Sequence, residues 1–135
     1  MRKILSICLS IITLSLFSQN FVSTTAENKN VILEEFTGIS CGFCPDGHAI
    51  AQTLNNANPN DVFLINIHTG SYANPQGPGT DFNTSFGAAI SNLSGTCGYP
   101  AGTVNRIDFS SQGLNQTSSS GCVATTAMSR GNWTS

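Results

Sequence analysis

The segment Cys41-Gly42-Phe43-Cys44 sets two thiols three residues apart, a spacing at which they can close into a disulfide or stand open as an exchanging dithiol. If a helix begins here, its unpaired N–H groups and its dipole favour a thiolate. Cys41, at or near the N-cap, is then the attacking sulfur, and Cys44, one turn on, the resolving one. Pro45 suits a helix start, because a first-turn nitrogen has no intrahelical acceptor to lose. No Lys or Arg is close in sequence, and Glu34, Glu35 and Asp46 oppose a thiolate, so only a modest lowering of the Cys41 pKa is expected.

Glu35 lies six residues before Cys41, at the end of an apolar run. A buried carboxyl there has a raised pKa and can take the proton from Cys44 as a mixed disulfide resolves. A strand-end acid reaching solvent is the plain alternative. Tyr99-Pro100 precedes another apolar stretch, and Pro is tolerated at a strand start, where no ladder donor is lost. The Tyr99 backbone, with Gly42 and Phe43, is the candidate surface for an extended partner, whether the Tyr99-Pro100 bond is cis or an ordinary trans turn.

Two further constellations compete for attention. Cys41, Cys44, His48 and His68 offer two thiolates and two imidazoles, a donor set suited to tetrahedral zinc, although their spacing is not that of a zinc finger. Haem attachment fails, because Pro45 rather than His follows Cys44. Cys97 and Cys122 form either a structural disulfide or, since Cys97 is three residues before Pro100, a second pair that exchanges with the first.

The elements that must position these groups follow from periodicity. Residues 31–36, Val-Ile-Leu-Glu-Glu-Phe, read as a buried strand. Residues 45–58 carry apolar or small side chains at helical spacing, and residues 62–68 give a second strand, so the order implies a parallel βαβ unit. Residues 70–80 are too rich in Gly and Pro to hold a regular element. Phe82, Phe86, Ala89, Ile90 and Leu93 then fall on one face of a helix expected over 81–93, capped by Thr80 or Asp81. A strand is expected over 102–109, and residues 110–126 are too Ser/Thr/Gly-rich to assign. Residues 128–135 look like a cap and the start of a helix, as if the chain were a fragment.

The composition narrows the function. The chain has 135 residues, five Lys and Arg against seven Asp and Glu, and only 9% charged residues. With no basic cluster, nucleic acid is excluded as a partner. Arg2 and Lys3 followed by an apolar run to Phe17 read as a secretory signal peptide over 1–26, too short to serve as a membrane anchor. Its removal takes Cys8 with it and leaves four cysteines for an oxidising compartment. Membrane association of the mature chain stays open, without a transmembrane helix.

Together the segments Leu33 through His48, Asn66-Ile67-His68, and Tyr99-Pro100-Ala101-Gly102-Thr103-Val104-Asn105-Arg106 resemble the thioredoxin-like superfamily, and within it the outer membrane protein 28-related envelope proteins. The resemblance covers about residues 31 to 107 and implies an α/β fold with a central mixed sheet flanked by helices over 27–135. It implies Cys41 as nucleophile, Cys44 as resolving cysteine, Glu35 as the buried acid and Pro100 as the cis-proline. No cofactor is implied, and the partners are protein thiols or disulfides in the periplasm or outer membrane. The Gly42-Phe43 dipeptide departs from the thioredoxin pattern, so neither direction nor partner carries over. The competing reading is a non-catalytic surface protein with a permanent Cys41–Cys44 bond.

Overall fold

The computed structural model describes residues 29–134; the signal segment over 1–26, with Cys8, lies outside the described residues. The apolar run at 31–37 forms strand β1 (Val31–Thr37), which pairs in parallel with β2 (Val62–His68) from Val31 opposite Val62 to Thr37 opposite His68. Between them runs helix α1 (Cys44–Ala57), so the expected βαβ unit is present. Three antiparallel strands, β3 (Ala101–Val104), β4 (Asn115–Thr117) and β5 (Val123–Ser129), complete a five-stranded mixed sheet in the order β2-β1-β3-β5-β4. The fold is therefore α/β. Helix α2 (Ser85–Ser94) connects β2 to the antiparallel half.

Alternation along β1 sends successive side chains to opposite faces of the sheet. Leu33, Glu35 and Thr37 face α1, and Leu33 clusters there with Ala51, Met128 and Trp133. Phe36 faces the other way and packs with Ile67, Ala101, Ala124 and Ala127, with Ile90 of α2 laid against them. Both helices are thus needed to bury β1. Phe36 and Leu33 are 0% and 1% exposed, and burial of side chains of this size contributes about 2 kcal/mol each.

Four expectations are corrected. Helix α2 starts at Ser85, not Asp81, and its cap is Thr84, whose Oγ1 accepts from Gly87 N at 2.9 Å. Asp81 instead accepts from Asn83 N in a local turn. The helix turns Gly87, Ser91 and Ser94 inward and leaves Phe86 and Leu93 exposed. A Cβ at Gly87 would stand 3.0 Å from Ile67 Cγ2 and 3.2 Å from the His68 carbonyl oxygen, so only small residues let this helix lie so close to the sheet.

The strand expected over 102–109 stops at Val104. Asn105 and Arg106 adopt positive φ of 51° and 54°, reversing the chain, while Asn105 exchanges backbone and side-chain hydrogen bonds with Ile32. The unassigned stretch holds β4 and the first residues of β5. The expected terminal helix is a single tight turn, Arg130–Asn132, after which Trp133 folds into the α1 side of the core.

Candidate functional site

The C-terminal end of β1 runs through Gly38 to Cys41, and that short connection is held from outside. Ser40 N donates to Tyr72 O at 2.9 Å, and a Cβ at Gly38 would overlap the Tyr72 backbone, so only glycine lets the 70–74 loop approach. Cys44 N donates to Cys41 O at 3.3 Å, and the side chains of Cys41 and Cys44 are joined as a disulfide with a Cα separation of 5.4 Å. The N-cap of α1 falls two residues beyond Cys41. Phe43 is its N-cap residue, without a side-chain capping bond, and Cys44 is its first residue. Cys41 is 8% and Cys44 1% exposed.

Glu35 lies beneath this turn. It is 1% exposed, and burial pushes its carboxyl pKa up, against the pull of His48, which lowers it. Oε2 is 2.9 Å from His48 Nδ1, whereas Oε1 is buried with no hydrogen-bond partner. Gly47, three residues after Cys44 on the same helix face, leaves the room: a Cβ there would stand 2.6 Å from Glu35 Oε1 and 3.0 Å from Pro100 Cβ. Glu35, Gly47 and Pro100 therefore meet under the first turn of α1.

The surroundings of Pro100 are fixed in turn. The Tyr99-Pro100 bond is cis. The Tyr99 ring packs edge-on to Tyr72, with centroids 5.9 Å apart, and its hydroxyl lies over Gly70. Cys97, three residues earlier, is bonded to Cys122, and its backbone N donates to Gln116 Oε1 at 2.9 Å. The Cys97–Cys122 bond is a tie between the approach to β3 and the start of β5.

The zinc set does not assemble. Both ring nitrogens of His48 are engaged, Nδ1 with Glu35 and Nε2 with Thr37 Oγ1 at 3.3 Å. His68 packs against Phe82 at a centroid distance of 5.1 Å. Among the described residues no three His, Cys, Asp or Glu side chains converge as metal ligands do.

The acids expected near the dithiol separate. Glu34 points to the α2 face, where Arg106 grips it through two hydrogen bonds, the Nε one at 2.7 Å. Asp46 is exposed and lies 3.8 Å from Arg130. Arg130 is the residue that sequence reasoning missed: its guanidinium lies 5.7 Å from the centroid of the exposed Phe43 ring, inside the C-x-x-C. No local signal announces it, because β5 alone carries it there. Phe43, Ile39 and Tyr72 leave exposed apolar surface around the disulfide. Two clefts, of about 500 Å³ along α1 and about 480 Å³ beside α2, are lined by neither cysteine.

Among the described residues no helix is long and apolar enough to cross a membrane. The chain matches no known family model, no curated protein and no solved structure in the comparisons made.

Proposed function

We propose that the protein is an exported, thioredoxin-like thiol–disulfide oxidoreductase that acts on protein partners of the cell envelope through Cys41 and Cys44. The observation that carries this reading is the unpartnered, buried Glu35 Oε1 beneath the first turn of the helix that opens with Cys44. An orphaned buried carboxyl oxygen costs stability, and a base waiting for the proton of the resolving thiol gives it a purpose. In the reducing direction the Cys41 thiolate attacks a partner disulfide, forming a mixed disulfide and releasing one partner thiolate. Cys44 then loses its proton to Glu35 and attacks Cys41 Sγ, which closes the Cys41–Cys44 bond and frees the second partner thiolate. Two electrons pass to the partner, and the reverse sequence oxidises it. Pro100 and the Tyr99 backbone, with Gly42 and Phe43, form the surface that receives the partner, and the apolar Phe43, Ile39 and Tyr72 suit an exposed apolar segment.

Replacement of Cys44 by Ser tests the reading, because it leaves Cys41 able to form a mixed disulfide and unable to release it. Adducts on Cys41 that disappear with reductant are expected after expression in an envelope. A second reading, a binding protein stapled by a permanent Cys41–Cys44 bond, is favoured by the 8% exposure of Cys41. It predicts no adducts.

A further inference from the structure

Glu35 presents its two carboxyl oxygens to different surroundings. Oε1 faces the space left by Gly47 under the first turn of α1, and Oε2 faces His48 Nδ1 at 2.9 Å. The Glu35 side chain is 2% exposed and the His48 side chain 41%. A proton that reaches Glu35 from Cys44 therefore has one polar neighbour to leave by, and that neighbour touches solvent. Resting on the thiol-exchange reading, we propose that His48 is the route by which Glu35 exchanges its proton with solvent, an additional residue of the site that acts through Glu35 and does not touch the sulfurs.

The proton balance closes without an added reactant. As Cys44 attacks Cys41 Sγ, its thiol proton passes to Glu35 Oε1. In the same step the proton already on Oε2, hydrogen-bonded to the unprotonated Nδ1 of His48, moves onto the ring, so the carboxyl group gains one proton at Oε1 and gives one up at Oε2. The imidazolium releases its Nε2 proton to water, and the departing partner thiolate takes a proton from water. For the reverse reaction the same path delivers a proton to the Cys44 thiolate. Thr37 Oγ1 at 3.3 Å from Nε2 fixes the ring orientation, so that Nδ1 stays on the carboxylate.

The other titratable groups around the pair are accounted for. On α1, Asp46 is turned outward to Arg130. On β1, Glu34 is on the opposite face, held by Arg106. On β2, His68 pairs with Thr37 across the sheet and packs on Phe82. The neighbouring β3 contributes only Gly102 and Ala101 opposite Glu35 and Phe36.

The test uses the mature protein reduced at Cys41–Cys44, with the Cys97–Cys122 bond verified closed by mass spectrometry, and Ellman's reagent as the disulfide. The first thionitrobenzoate is released when Cys41 attacks and the second when Cys44 resolves the adduct. His48→Asn keeps an amide able to hydrogen-bond with Glu35 and cannot carry a proton. We expect it to leave the first release unchanged, to slow the second at least about tenfold, and to lose the limb of the pH–rate profile that coincides in the wild type with the His48 ring titration followed by NMR. A second release in His48→Asn with the wild-type rate and pH profile overturns the inference. Should that variant not fold, the wild type decides: a second-phase midpoint that departs from the His48 ring midpoint overturns it equally. A wild type that releases only the first thionitrobenzoate overturns the exchange reading itself, and the proton route with it.

Discussion

His48 Nδ1 lies 2.9 Å from Oε2 of Glu35, so that a half-exposed helix residue closes off a carboxyl group buried in the strand beneath it. The contact joins the two halves of the βαβ unit at the point where the C-x-x-C begins. It also leaves Glu35 Oε1 alone, which makes the carboxyl group costly to charge.

That cost has a sign. The folded-state pKa of Glu35 is raised above 4.5 by burial. Its contribution is unharmed below the unfolded value, and stability is lost as pH rises from about 4.5 through the raised folded value. Glu35→Gln removes this loss, so the variant should gain melting temperature above that window, on the order of 4 °C for each kcal/mol relieved, and match the wild type in acid. Thermal melts of the oxidised protein across pH check this. A wild-type curve with no extra slope in the window relative to Glu35→Gln contradicts it. In the same variant the resolving step should be slowed at least about a hundredfold.

Gly47 and Gly42 separate packing from propensity. Alanine is a better helix former than glycine by about 1 kcal/mol, yet at Gly47 its methyl would stand 2.6 Å from Glu35 Oε1 and 3.0 Å from Pro100 Cβ. Glu35 is tied to His48 and Pro100 is a rigid ring, so Gly47→Ala should lose about 1–3 kcal/mol by denaturant titration. Gly42→Ala, with no atom within 4 Å of the added carbon, should be neutral within about 0.5 kcal/mol.

The Cys97–Cys122 bond spans a sequence separation of 25 residues. In the chain-entropy picture its loss through Cys97→Ser with Cys122→Ser costs about 3.5 kcal/mol. Exchange at Cys41 should continue in that variant under conditions where it stays folded, measured by the same two-phase thiol assay. Abolished exchange in a folded double variant would mean that the second pair belongs to the redox chemistry.

Much of this was legible in the sequence and some was not, for identifiable reasons. Val31–Thr37, Cys44–Ala57 and Val62–His68 are long periodic or apolar runs, and as consecutive elements they pair or pack with one another. The burial of Glu35 follows from its place at the end of such a run. The buried face of α2 differs from the expected one, because Phe82, Phe86 and Leu93 suggest an apolar face while the close contact with Ile67 selects Gly87, Ser91 and Ser94. Residues 102–109 read as a strand centred on Thr103-Val104-Asn105-Arg106-Ile107, and the reversal at Asn105 and Arg106 is stabilised by Ile32 and Glu34, more than seventy residues away. Arg130 reaches Phe43 only once β5 has joined the sheet.

The buried Glu34 explains why that reversal matters. Glu34 is 6% exposed and Arg106 is its ion-pair partner. Arg106→Gln should destabilise by about 2 kcal/mol, less than for a fully buried pair because half of the arginine side chain is in solvent. Adding Glu34→Gln should recover part of the loss, since no unpaired buried charge then remains. Urea titration of the single and double variants decides, and a double variant weaker than Arg106→Gln alone contradicts the account of the pair.

The most direct measurement is a redox titration of the purified mature chain in glutathione buffers, with alkylation and mass spectrometry following Cys41 and Cys44 separately from Cys97 and Cys122. Reversible opening of Cys41–Cys44 between roughly −300 and −120 mV, with Cys97–Cys122 closed throughout, is the result expected of an exchanging dithiol. A Cys41–Cys44 bond that stays closed over the whole range would contradict catalysis and leave a stapled binding protein.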